Sequence, residues 1–394
     1  MKKKNKRSLV QLASLLCFLW LLYGYTHKQL LNDSDSNMTA TSEPGNLQYD
    51  SDSYPPITSE QGDIQYDSGS YPPLTSEQGS LQEFRVMFYN VENLFDTYDD
   101  PHKNDNQFLP NGVMRWTNNR YYNHLRKTAQ VINAIGEWGT PALCGLCEVE
   151  NDTVMTHLLT RTPLREQHYS YCITTGNDAR GINVALLYQR DKFRYLGHSS
   201  MRIPFTNTRR RSRDILHVWG DVINGERLDI FVCHFPSRSG GEKETEPGRI
   251  EAARFLRSLC DSLYRNNPAS NILIMGDFND NPSDRSVQTI LTGSNGKYNL
   301  INLFGDPHKL NFHGSHKFQN EWSQLDQIMV SANWNKYLKA GSPRIFAAGF
   351  LLSKKNNRGE QNPLRVYTGR IYRGGFSDHL PVVTDFLLPL PAGK

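Results

Sequence analysis

From Phe84 onward the sequence predicts one domain of the α/β or α+β class, and three observations carry that reading. Short apolar runs alternate with helical patterns, the texture of sheets covered by helices. Nearly every apolar run stops at a carboxylate, an amide or an imidazole. The stretch 84 to 394 exceeds the usual ~150 residues per domain, yet large α/β sandwiches use about 250 residues as one unit.

Strands are predicted at Phe84–Asn90, Pro141–Val149, Tyr171–Thr175, Ile182–Tyr188, Leu216–Val222, Leu228–Phe235, Asn271–Asp277, Asp326–Val330 and Leu380–Phe386. Helical patterns cover Tyr121–Ile135, Thr153–Leu159, Gly248–Tyr264 and Ser283–Leu291, with Asp152 and Ser283 as N-caps of two of them. The polar, glycine-bearing stretches 99–118, 237–247 and 353–375 read as surface loops.

Upstream, residues 1–30 hold six Lys/Arg and no acid, whereas 31–83 hold ten Asp/Glu and no base. Lys2 to Arg7 followed by the apolar run Leu9 to Tyr25 has the order of an export signal, either cleaved or kept as a membrane anchor. The expectation is an exported protein of the periplasm, cell envelope or medium. Cys17 is either an apolar filler or a lipid attachment point. Residues 31–83 contain Gly45–Gln61 repeated almost unchanged as Gly62–Gln78, and two Ser-, Pro- and acid-rich copies cannot bury a core. They read as an acidic tether, whose Tyr-Pro-Pro motifs are alternatively a docking ligand for a polyproline groove.

The net charge of +4 conceals this asymmetry, because 84–394 alone carries a formal +8. A mildly basic domain suits an anionic substrate without identifying nucleic acid. Five cysteines beyond the leader do not make a disulfide framework. Cys144 and Cys147 form a C-x-x-C, but they lie in the apolar run Pro141–Val149 and no second pair completes a zinc site, so strand packing is the plainer reading than redox or metal chemistry.

The polar strand ends are the candidate site. Asn90 ends the first strand and Glu148 the second. His234 nearly ends another, Asp277 and Asn279 follow Ile272–Gly276, and Asp378-His379 precede the last. Strand ends on one sheet edge converge on a common cleft. Taken singly each has a plain explanation as a turn or cap residue. Together, Asn-Val-Glu-Asn at 90–93, Glu148, Gly-Asp-Phe-Asn at 276–279 and Ser-Asp-His at 377–379 resemble the endonuclease/exonuclease/phosphatase superfamily over about 84–388.

That resemblance implies an α+β four-layer sandwich of two mixed β-sheets flanked by helices, with the site at one end of the sheets. It implies Mg²⁺ or Mn²⁺, for which Asn90, Glu148 and Asp378 supply oxygen ligands. It further implies that Asp277 activates a water for in-line attack and that Asn279 holds this nucleophile or a phosphate oxygen. His379, oriented by Asp326, would sit against the phosphate, while His234 contacts an oxygen that gains charge. Arg180 and Arg238 are candidates for gripping phosphate or are solvated loop arginines. The run Arg209–Arg213 is a polyanion contact or a solvated loop. Trp116, Arg120, Tyr121 and Tyr122 either stack bases or pack a helix. The substrate is nucleic acid, or another phosphate ester such as an inositol phosphate or sphingomyelin. An inactive binding module is the reading from another class, and a monomer is expected.

Overall fold

The structure, a computed structural model, describes residues 80–137, 139–207, 212–293 and 298–390. The leader with Cys17, the repeats and Arg209 to Arg211 lie outside the described residues. The strands are β1 (Leu81–Leu94), β2 (Leu143–Val149), β3 (Tyr169–Ile173), β4 (Asn183–Gln189), β5 (Phe193–Met201), β6 (Ile215–Val222), β7 (Arg227–His234), β8 (Ile272–Asp277), β9 (Leu300–Asn302), β10 (His316–Phe318), β11 (Glu321–Ser323), β12 (Asp326–Ser331), β13 (Arg344–Ile345), β14 (Tyr367–Thr368), β15 (Ile371–Tyr372) and β16 (Val382–Pro389). The main helices are α1 (Asn118–Gly136), α2 (Asp152–Thr160) and α3 (Glu242–Asn266).

Two six-stranded mixed sheets, ordered β13-β16-β1-β2-β4-β3 and β5-β6-β7-β8-β12-β9, pack face to face. Their central strands are apolar on both faces, as strands covered on both sides must be. β2 and β8 are buried almost throughout. The sheets approach closely at Gly145, where a Cβ would lie 2.4 Å from Met275 Sδ. α1 and α2 cover the first sheet. Tyr121, Leu125, Ala129, Ile132 and Ile135 recur every three or four residues on the buried face of α1. α3 covers the second sheet with Ala253, Leu256 and Cys260 against Phe231 and Ile274. The result is the four-layer sandwich. Among the described residues no helix is long and apolar enough to cross a membrane.

Several expectations are corrected. α3 begins at Glu242, not Gly248, so 242–247 is helix despite Pro247. The N-cap of α2 is Asn151, whose side chain accepts from Val154 N, rather than Asp152. The stretch from Ser283 is a π-helical turn at Ser286–Leu291, and the Asp284 carbonyl rather than a Ser283 cap receives the first bonds, from Val287 N and Gln288 N. Within 353–375, β14 and β15 form a hairpin whose Tyr367 is buried, as is Val366 just before it. Within 99–118, Asp105, Phe108 and Trp116 are buried. Trp116 donates to Phe95 O, Tyr121 bonds His157, and Arg120 donates to Met114 O and lies over the Tyr372 ring, so these residues pack the α1 end and present no free stacking surface. Cys144 and Cys147 are buried free thiols, as strand packing requires.

Candidate active site

One rung of the second sheet carries three of the polar strand ends. β7 pairs with β8 in parallel so that His234 faces Asp277, and β12 pairs with β8 antiparallel so that Asp326 faces Asp277. Residues side by side on one rung point to the same face, so the pleat delivers an imidazole and two carboxylates to one place. His379, just before β16, completes the group. Its Nδ1 lies 2.6 Å from Asp326 Oδ2 and its Nε2 lies 3.8 Å from Asp277 Oδ2, while His234 Nε2 is 3.6 Å from the same oxygen.

The first sheet contributes through irregular backbone. Asn90 pairs with Cys147, and past this point both strands bulge. Glu148 adopts φ 62° between the buried Cys147 and Val149, which breaks the strand alternation and turns its carboxylate to the cleft. Its Oε2 accepts from Asn93 N at 2.9 Å, and its Oε1 lies 3.9 Å from His234 Nε2. Glu92 and Asn93 also have positive φ, 54° and 55°. The Glu92 carboxylate accepts from Val366 N and Tyr367 N, tying the 353–375 segment to the strand that carries Asn90. Asn279, φ 51°, lines the cleft, donates its backbone N–H to Asp277 Oδ1 and its side-chain amide to Phe235 O, and so keeps its side-chain Oδ1 as a free acceptor.

Electrostatics divide the titratable groups. Burial pushes Asp277 up to about 6, although the charge of His379 beside it holds the value down. For His379, burial opposes its charge, but Asp326 and Asp277 prevail and raise it well above an ordinary imidazole. His234 is pushed well below its ordinary value by burial and by Arg213, Arg180 and His379. A carboxylate that holds a proton only below about 6 therefore stands between one imidazolium and one neutral imidazole, a separation that assigns acid and base work.

These groups line a cleft of about 560 Å³ with Asn90, Asn93, Glu148, Arg180, Asn279 and Asp378. Asp326 stands behind His379, buried completely, where it orients the ring. Arg238 is a correction. It does not line the cleft, because its guanidinium is taken up by Asn279 O, Asp284, Glu242 and Asp280. Residues not singled out from sequence also line the cleft, namely Asp178, Ser237, Ser239 and His316. Arg213, counted with a basic loop, is instead buried, donates to Phe235 O and reaches Asp178 at 3.5 Å. Arg365 holds Asp378 at 2.7 Å.

The donor chemistry fits a hard divalent cation. Glu148 Oε1 faces the cleft, Asn90 Oδ1 uses one lone pair on Glu92 N and keeps another, and Asp277 and Asp378 add carboxylate oxygens. Cys147 lies near His234 and Asp277, but burial keeps its thiol protonated and so unfit as a ligand.

The profile of the Endonuclease/Exonuclease/phosphatase family matches residues 85–387. No curated protein sequence matches the chain. Among solved structures, an endonuclease/exonuclease/phosphatase from Bacteroides vulgatus is similar at 15% identity, covering 78% of this chain and 99% of its own, with a TM-score of 0.50. A truncated TDP2 of Caenorhabditis elegans, 15% identical, covers 78% and 98% with a TM-score of 0.49. The mannosyl-6-phosphatase Bt3783 of Bacteroides thetaiotaomicron VPI-5482, 17% identical, covers 77% and 99% with a TM-score of 0.49. With the family profile running over nearly all of the two-sheet sandwich and its cleft, the chain belongs to the endonuclease/exonuclease/phosphatase family, hydrolases that act on phosphate esters.

Proposed function

We propose that this hydrolase is a divalent-metal-dependent nuclease that cleaves phosphodiester bonds by in-line attack of water. The observation that carries the reading is the placement of Asp277 between His234 and His379, at 3.6 and 3.8 Å, on the floor of an open cleft whose wall includes Arg180 and Arg213. Asp277, ionised above about pH 6, accepts the proton of the attacking water, and the Asn279 side-chain Oδ1 orients that water by accepting its second hydrogen. His379, charged and fixed by Asp326, donates to a nonbridging oxygen as negative charge grows there. Neutral His234 donates from Nε2 to a second oxygen, and Arg180 and Arg213 draw the phosphate in.

Glu148, Asn90 and Asp378 would hold Mg²⁺, with Mn²⁺ as substitute, and the ion when bound neutralises charge on the phosphate and stabilises the leaving oxygen. The +8 of residues 84–394 suits an anionic substrate. Export, with the acidic repeats as tether, is proposed from the N-terminal sequence, and a monomer is the expected form.

The test is hydrolysis of plasmid DNA, RNA, inositol phosphates and sphingomyelin by the full chain, each with Mg²⁺ and with EDTA. EDTA-sensitive cleavage of nucleic acid supports the proposal. Activity confined to an inositol phosphate or a lipid refutes the nuclease reading, and absence of any metal-dependent activity makes the protein a binding module.

A further inference from the structure

The β10–β11 ribbon belongs to neither main sheet, and its two faces differ. On one face His316 lines the catalytic cleft, its ring centroid 4.6 Å from that of His379. Side chains alternate along a strand, so Lys317 points the other way, onto the face of its register partner Trp322. Behind that face is a second groove, also of about 560 Å³, lined by Phe312, His313, Lys317, Trp322, Lys355 and Arg358 among others.

The groove is built. Lys317 Nζ donates to Gln361 O at 3.1 Å and lies 5.7 Å from the Trp322 ring centre, while Phe312 packs edge-on to Trp322. The opposite wall is a turn closed by Asn356, which bonds Glu360 through its own side-chain oxygen and nitrogen. Among the described residues neither Lys355 nor Arg358 has a carboxylate within ion-pair distance. At the tip of the ribbon, where Asn320 lines this groove, Gln319 and Asn320 both have positive φ, the tight turn of a two-residue hairpin, and Phe318 is 64% exposed.

We propose that this groove is a second subsite, for the stretch of a single-stranded nucleic acid that continues from the phosphate being cleaved. The proposal rests on the nuclease reading of the cleft. Cations interleaved with aromatic faces match the two features of such a strand: Lys355 and Arg358 take phosphates, and Trp322 and Phe312 stack a base. A strand lying over the ribbon past Phe318 has one phosphate against His379 and the next nucleotides in the groove. The 353–361 segment thereby sets substrate length preference.

The experiment is fluorescence anisotropy of a labelled single-stranded oligonucleotide with the full chain in EDTA. Lys355→Glu/Arg358→Glu and, separately, Trp322→Ala are compared with Arg254→Glu/Arg265→Glu on the exposed face of α3, which makes the same charge change elsewhere. The expected result is about tenfold or greater weakening by the first double variant and by Trp322→Ala, little change with the α3 control, and a salt slope shallower by roughly 1.4 for the two lost phosphate contacts. Equal binding by all proteins overturns the proposal, as does equal loss in both double variants. Tighter binding to phosphatidylglycerol vesicles than to the oligonucleotide, abolished by the same changes, overturns it in favour of a membrane contact. Groove-dependent binding without Mg²⁺-dependent cleavage of the same oligonucleotide sustains the subsite and refutes the nuclease reading of the cleft.

Discussion

Arg249→Met tests how the loop bearing Asp277 and Asn279 is held. Arg249 is fully buried at the start of α3, with Nε 2.6 Å from Asp280 Oδ1, Nη1 2.7 Å from Thr245 Oγ1 and Nη2 2.8 Å from Glu242 O. Pro247 cannot donate to Lys243 O, and beside that gap Arg249 donates to Glu242 O and Thr245 Oγ1, so the guanidinium ties the first turn to Asp280. Asp280 is also buried and takes the Ser286 hydroxyl at 2.6 Å, while its carbonyl accepts from Gln327. Methionine fills the space of the stem but strands a buried carboxylate. Breaking one partner of a buried pair costs about 3–5 kcal/mol, and the lower end applies because Arg238 remains 3.5 Å from Asp280 Oδ1. About 3 kcal/mol corresponds to roughly 5 °C in Tm at the ~2 cal/mol/K per residue of unfolding entropy usual for a domain of about 310 residues. Urea unfolding followed by tryptophan fluorescence, with unchanged m, measures it, and Arg249→Met/Asp280→Leu should recover most of the loss. A single-variant cost below about 1 kcal/mol, or a double variant no more stable than the single, refutes the reasoning.

Asp326→Asn should lower kcat by about 10²–10⁴, because His379 loses the charge that raises it and the acceptor that fixes its ring; kcat within twofold of wild type in a folded variant sinks the role. His124 is buried against Trp116, and burial lowers it to about 4 from 6.5, so the unfolded chain takes up a proton first as pH falls. Stability is therefore full above pH 6.5 and is lost on descent to about 4, by up to roughly 3 kcal/mol. His124→Phe should flatten that limb of a Tm-against-pH curve, and an unchanged limb contradicts the assignment. Arg213→Met should raise KM at least tenfold while kcat changes less, since the guanidinium draws in the phosphate and takes no proton; an equal fall in kcat places it in the chemistry instead.

The central strands were legible because burial on both faces writes a continuous apolar run, as at Ile272–Gly276 and Val184–Leu187. β5 was not, because its run Phe-Arg-Tyr-Leu-Gly-His-Ser-Ser-Met is half exposed at a sheet edge and looks like loop. The start of α3 was hidden by Pro247, a residue that on propensity ends or kinks a helix. In the cleft, the strand-end residues announced themselves by interrupting apolar runs, and the structure brings Asn90, Glu148, His234, Asp277, Asn279, Asp378 and His379 together. Arg238 and Arg213 show the limit of that signal. Both are arginines next to a strand, and what separates them is which acceptors the fold places nearby: Asn279 O, Glu242, Asp280 and Asp284 take up Arg238, whereas Phe235 O and Asp178 hold Arg213 at the cleft wall. His316 and Asp178 lie in segments without periodicity, where sequence carries no orientation.

Four residues of the cleft region, Glu92, Asn93, Glu148 and Asn279, hold positive φ without being glycine. Each such conformation costs an L-residue of order 1–2 kcal/mol, which the surrounding sheet must sustain. At Glu148 the same rotation that strains the backbone turns the carboxylate to the cleft, where its Oε1 lies 3.9 Å from His234 Nε2. Glu148→Gly removes the strain and loses one hydrogen bond, from Asn93 N, worth about 1 kcal/mol. In EDTA the variant should therefore melt no lower than wild type. Wild type should then gain about 2.7 kcal/mol in Mg²⁺ at a hundred times its Kd, and the variant should gain little. A variant destabilised by more than about 1 kcal/mol in EDTA shows that the backbone at 148 is unstrained. An undiminished Mg²⁺ shift shows that the ion is held elsewhere. Together the two melts separate what Glu148 does to the fold from what it does for the metal.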